Sequence, residues 1–286
     1  MFKSFKVLLL SIFCFMSIYS DDNKPKALKV YCAIGIKNTF EKIAKDFMQQ
    51  YDIVIESEFK GSGHLMGTLK LNPVGDLFIS AESSYTTKLK EEGFIKETFP
   101  LAKMHPVIVV QKGNPKGVKG INDLMLKNIK VVTANPEAAA IGNTTKKILL
   151  QLNKWEPFEK NVIENGVFKP TVAEIANDIK MKIMDAGIIW DATALHPNYK
   201  NDLQIIEVEE FKAEIETVTL GVLSNCKNPT WALKFARFIH ARDKGQKYFK
   251  EDSFQTIENA DLWAEKPSLA IFSGGVNRTA IEKTIM

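Results

Sequence analysis

Residues 60–80 read KGSGHLMGTLKLNPVGDLFIS, and the order of patterns inside them decides the fold. The segment before them, DIVIESEF, has strand character. GSGH is a turn of small polar residues, HLMGTLKL is helical, and after NPVG the chain enters a second apolar strand, DLFIS. Strand, helix and strand in such close succession describe the crossover of an α/β sandwich with a largely parallel sheet. The turn has a second meaning. A helix that starts directly after a strand leaves its first backbone N–H groups unpaired, and negative charge is stabilised there.

The alternation extends both ways. Upstream, LKVYC is a strand and TFEKIAKDFMQQY a helix with Phe40, Ile43, Ala44, Phe47, Met48 and Tyr51 on one face. Asn38 and Glu41 have the spacing of a capping box at its start. Downstream, HPVIVVQKG, IKVVTAN, AGIIW and EIETVTLGVLS read as strands, TTKKILLQL as a helix, and TVAEIANDIKMKIM as a helix with Thr171 and Glu174 in a second capping box. This pattern predicts two lobes. Residues 27–104 begin lobe 1, residues 105–213 form an inserted lobe 2, and residues 214–263 return to finish lobe 1. Two crossings make a hinge, and ligand sites gather between domains.

The first 20 residues, a basic MFKSFK followed by the apolar VLLLSIFCFMSIYS, have the form of a cleaved secretory signal, with an uncleaved anchor as the alternative. Phe13 before Cys14 is too bulky for a lipoprotein signal. Removing Lys3 and Lys6 takes the formal charge from +4 to about +2, which gives no footing for nucleic acid. Cys32 and Cys226 remain in an oxidising compartment, the periplasm, either bridged or as two free thiols.

Catalytic signals are weak. The four histidines, His64, His105, His196 and His240, are scattered, and neither HExxH nor GxSxG occurs. Ser62 with His64 could serve a secreted hydrolase, yet two residues apart at a helix start they are poorly placed to bond. GSGH follows the second strand of its lobe and its glycines are irregularly spaced, unlike a dinucleotide turn. The recurring device is a strand, a small polar turn and a helix start: AIGIKN, GSGH, AAAIGNT, Thr171 with Val172, and WDAT. Converging on one cleft, such turns offer amides and hydroxyls to an anion without formal positive charge.

LKVYCAIGIKNTFEKIAKDF, FKGSGHLMGTL, GDLFISAESSY, VVTANPEAAAIGNTTKKIL and AGIIWDATAL resemble, in order and spacing, the periplasmic molybdate/tungstate-binding proteins of ABC importers. The resemblance spans about residues 27–262 and implies a type II periplasmic binding fold, a tetrahedral oxyanion held between lobes, no cofactor, and a permease and ATPase as partners. It places the family's first-loop serine at Gly35, beside the polar Asn38, and the second-loop serine at Ser62, followed by Gly63. Backbone amides fall at Ala140 to Gly142 and at Thr171 and Val172, and the family's tyrosine hydroxyl falls at Trp190. An indole N–H is a donor and could replace that hydroxyl, while a core Trp is the alternative.

Asp191 departs from the pattern, because a carboxylate repels a bound dianion. It either caps the following helix or, with Glu137, contacts a metal ion or completes a metal's coordination as in some archaeal tungstate-binding relatives. Finally, SLAIFSGGVNRTAIEKTI near the C-terminus parallels ALKVYCAIGIKNTFEKIA at an offset of 241, so residues 264–286 read as the start of a second copy. A monomer is expected, with a tail-mediated dimer as the alternative.

Overall fold

The computed structural model describes residues 24–264. The signal read in residues 1–20 and the repeat read in residues 268–286 lie outside them.

In the first sheet's half of the chain, β1 (Ala27–Ala33) passes through a 3-10 turn at Ile34–Ile36 into α1 (Lys37–Tyr51). β2 (Val54–Lys60) leads into α2 (Ser62–Leu71), β3 (Leu77–Ser80) into α3 (Ser83–Glu91), and β4 (Ile95–Met104) ends at the first crossing, His105. The second sheet is built from β5 (Pro106–Gln111), β6 (Val131–Ala134) with α4 (Ala140–Gln151) and α5 (Trp155–Asn165), β7 (Val167–Lys169) with α6 (Val172–Lys180), β8 (Ala186–Trp190) with α7 (Asp191–Leu195), and β9 (Leu203–Ile206). After α8 (Glu209–Lys212) the chain re-enters the first sheet as β10 (Glu216–Leu223), followed by α9 (Pro229–His240), α10 (Gly245–Glu251) and β11 (Gln255–Thr256).

The strand orders are β11-β4-β10-β3-β1-β2 and β7-β6-β8-β5-β9. Both sheets are mixed rather than mainly parallel. β10 runs antiparallel between β3 and β4, and β5 runs antiparallel between β8 and β9. The reason is the double crossing: each sheet receives, next to its crossover units, a strand that arrives from the other sheet, β5 directly after β4 and β10 after the short α8, rather than over a crossover helix of its own sheet.

Of the face read on α1, Phe40, Ile43, Ala44 and Phe47 are buried, while Met48 stays 38% exposed. Phe47 packs on Phe235 of α9, with ring centroids 4.5 Å apart, so the returning segment closes the core that α1 begins. The Asn38–Glu41 capping box does not form. The 3-10 turn runs directly into α1, its N-cap is Ile36, and no side chain caps it. Thr171 does cap α6: its Oγ1 accepts from Glu174 N at 3.3 Å and donates to Glu174 Oε1 at 2.9 Å. Cys32 and Cys226 are both free thiols, and Cys226 Sγ donates to Asp76 Oδ1 at 2.9 Å.

Candidate functional site

The strand-to-helix junctions of both sheets meet in one cavity of about 240 Å³. The first sheet supplies Ala33 at the end of β1 with Ile34 and Gly35 after it, Gly61 and Ser62 after β2, and Ala81 after β3. The second supplies Ala139, Ala140 and Ile141 after β6, Thr171 and Val172 after β7, and Trp190 at the end of β8. Six of the residues singled out in the sequence therefore line it: Gly35, Ser62, Ala140, Thr171, Val172 and Trp190. Four do not: Asn38, Gly63, Gly142 and Asp191.

No charged side chain is among the lining residues. What faces the cavity instead is helix starts. Ser62, Ala140 and Val172 are the first residues of α2, α4 and α6, so three sets of first-turn N–H groups and three positive helix ends converge. Ser62 Oγ accepts the Ala81 N–H at 3.2 Å, which fixes the hydroxyl and leaves its own proton to donate. Thr171 is different, because its hydroxyl proton goes to Glu174; toward the cavity it brings backbone alone. Trp190 is 1% exposed, and a Cβ built on Gly35 would lie 3.8 Å from its Cδ1, the ring atom next to the indole N–H.

The four residues outside the cavity have other work. Gly142 donates its N–H to Ala139 O at 3.0 Å, and a Cβ there would lie 2.6 Å from Ala134 O, so it lets α4 start tight against β6. Asn38 is exposed and reaches across the cleft, its Nδ2 3.3 Å from His196 Nε2. Gly63 also meets the other lobe: a Cβ on it would lie 2.3 Å from Glu137 O, and one on Gly61 2.2 Å from Ala138 O. The lobes are closed on each other through bare backbone.

Asp191 turns away from the cavity. Its Oδ1 accepts from Ala192 N at 2.8 Å and His105 N at 3.1 Å, and its Oδ2 lies 3.0 Å from His105 Nδ1. Burial pushes its carboxyl up from the usual range, against the pull of His105 and the two amides. His105 Nε2 in turn lies 3.6 Å from Glu207 Oε2, so this side chain sits at the first crossing and touches the approach to the second. Glu137 is exposed and outside the cavity, and among the described residues no group of three His, Cys, Asp or Glu could hold a metal ion.

Of the other lining residues, Ala33, Ile34, Gly61, Ala139 and Ile141 stand inside the turns AIGIKN, GSGH and AAAIGNT that the sequence reading singled out, and Ala81 lies outside them. None carries a polar side chain. The only signal was position, since each stands where a strand ends or a helix begins.

A cleft of amides between two mixed-sheet lobes is a solute trap, and the chain matches the model of the bacterial extracellular solute-binding proteins over residues 28–255. The chain belongs to that family. Members bind solutes for transport rather than transform them, so the protein is a binder and not an enzyme. Over 268 residues it is 23% identical to the Putative ABC transporter substrate-binding lipoprotein YvgL of Bacillus subtilis (strain 168), covering 89% of this chain and 99% of that one. Over 218 residues it is 22% identical to the Molybdate-binding protein ModA of Mycobacterium tuberculosis (strain ATCC 25618 / H37Rv), covering 76% and 80%. The solved periplasmic molybdate-binding protein of Azotobacter vinelandii aligns at a TM-score of 0.67 and 16% identity over 81% of this chain and all of that one, a likeness of fold. The sulfate-binding protein SubI of Mycobacterium tuberculosis H37Rv shares the fold as well, at a TM-score of 0.68 and 14% identity over 82% and 88%. Fold alone does not choose the cargo. Among the described residues no helix is long and apolar enough to cross a membrane.

Proposed function

We propose that this solute-binding protein captures a small tetrahedral oxyanion, molybdate or tungstate, between its lobes in the periplasm and delivers it to the permease and ATPase of an ABC importer. The observation that carries this reading is the convergence of three helix starts and the Ser62 hydroxyl proton on a cavity without a charged side chain. Such a site pays the dehydration of an anion with fixed dipoles from both lobes, so closure and binding strengthen each other. The cavity is far too small for a drug-sized ligand and suits an ion of a few atoms. A lining without carboxylates also gives a protonated anion such as hydrogen phosphate few acceptors for its proton, which favours fully ionised oxyanions. The 22% identity to a molybdate-binding relative points the same way.

The test is a thermal-shift titration of chain stripped of ligand by unfolding and refolding, against molybdate, tungstate, sulfate, phosphate and divalent metals. At a hundred times its dissociation constant a ligand adds about 2.7 kcal/mol to stability. A raised midpoint with molybdate or tungstate supports the reading. A response to sulfate alone would move the cargo to that anion, and a response to metals alone would overturn it.

A further inference from the structure

At one rim of the cleft, two carboxylates of the first lobe face one hydroxyl of the second. Glu82, the N-cap residue of α3, and Glu216, the first residue of β10, are 5% and 8% exposed; Thr144 on α4 is fully buried. Thr144 Oγ1 lies 3.3 Å from Glu82 Oε2 and 3.2 Å from Glu216 Oε1. A hydroxyl has a single proton and can give it to one of them. With both carboxylates ionised, the other short oxygen contact would have no hydrogen in it. Glu82 is also served by Ser84 Oγ at 2.5 Å and by Asn143 Nδ2 at 3.1 Å to each of its oxygens, so both of its oxygens already accept from donors other than Thr144.

We propose that closing the lobes takes up one proton, held by Glu216 and passed as a hydrogen bond through Thr144 to Glu82, so that capture is favoured in mild acid and release on the alkaline side. The chain of bonds then balances: Glu216 donates to Thr144, and Thr144 donates to Glu82. Both partners on α4, Asn143 and Thr144, leave with the second lobe on opening, and the two carboxylates return to water.

The surrounding charges agree with this. Burial first, and then the charge of Glu82, push the Glu216 carboxyl from an ordinary 4.5 up to about 7, with Glu214 adding to the rise and the Thr144 bond and Lys147 opposing it. Lys147 is bonded to Glu214 and half exposed, so it does not neutralise the buried pair. The Tyr85 hydroxyl nearby is held in its neutral form by burial and by Glu82, Glu137 and Glu216. A carboxyl whose pKa is higher in the closed form stabilises closure fully below the open-form value and loses that contribution as pH rises through about 7.

Closure is read without ligand by small-angle scattering of the purified chain at pH 5.5 and 8.5, so a failure to bind molybdate does not disturb the result. The proposal rests on the lobes opening and closing, whichever anion they hold. The expected result is a closed-to-open ratio larger at pH 5.5 by roughly tenfold or more. In Glu216→Gln, a neutral side chain that still donates, the dependence is lost and the closed form persists at pH 8.5. Glu82→Gln reduces the dependence too, and Glu214→Gln retains it. The His196–Asn38 contact across the cleft is intact in every variant, and the Lys147–Glu214 ion pair across it is removed only in Glu214→Gln, so differences between the Glu216 and Glu82 variants and the parent isolate the carboxylates. Equal scattering at both pH values, or a dependence that survives in Glu216→Gln, overturns the proposal.

Discussion

Ser62 and Asp191 show what a polar side chain does on either side of a cleft wall. Ser62 is buried with its oxygen tied to the Ala81 amide, so Ser62→Ala removes the one free hydroxyl proton at the cavity while leaving α2 intact. A hydrogen bond to a charged group contributes about 1.5–3 kcal/mol, so oxyanion affinity measured by calorimetry should fall roughly 10- to 100-fold with an unchanged circular dichroism spectrum. Asp191→Ala should do the reverse. It strands His105 in the hinge and should lower unfolding stability by about 3 kcal/mol in a denaturant titration, with no metal response before or after. Gly35, Ser62, Ala140, Thr171, Val172 and Trp190 were legible in the sequence because each sits at a junction of strand and helix, a pattern that turns and capping residues announce. Ala81 was not, because its contribution is backbone outside the turns singled out, which no side chain advertises. Asp191 was legible as an anomaly, but only its distances to His105 decided which way it faces.

Among the elements, the close approach of α2 to the loop before α4 matters most. Gly61 has φ −61° and ψ 146°, which any residue adopts, so Gly61→Ala does not strain the first lobe; its methyl would meet Ala138 O only when the lobes close. The expected outcome is an unchanged or slightly raised melting temperature without ligand, loss of the ligand-induced shift, and a scattering curve that stays extended. Gly35 makes a similar approach with more give, its Cβ position lying 3.2 Å from Val172 Cγ2. Gly35→Ser combined with Val172→Ala should therefore bind oxyanion more tightly than Gly35→Ser alone, a comparison that calorimetry settles. Strand and helix periods made α1, β3, β5, α6 and β8 readable. β4 was not, because Pro100 interrupts it: Val218 pairs with Ala102 and Thr219 with Pro100, leaving Leu101 as the extra residue of a bulge, the kind of place where a sheet tolerates proline.

For the molecule as a whole, two sheets and a hinge followed from the alternation of strand and helix, whereas the mixed direction of the strands did not. Local patterns report a strand's existence and faces; they say nothing of which neighbour it joins after a crossing of a hundred residues. That long-range joining has a consequence for how the chain comes to be folded. Among the described residues β4 has only β10 and β11 as sheet neighbours, and both lie beyond residue 215. During synthesis or passage through a membrane, residues 95–104, with Ile95, Leu101, Ala102 and Met104 destined for the core, must wait unpaired while every strand of the second sheet emerges and can assemble. The inserted lobe should thus gain hydrogen-exchange protection first in pulse labelling. A nascent chain halted before residue 216 would present an open apolar strand edge, the species a holdase chaperone is suited to cover.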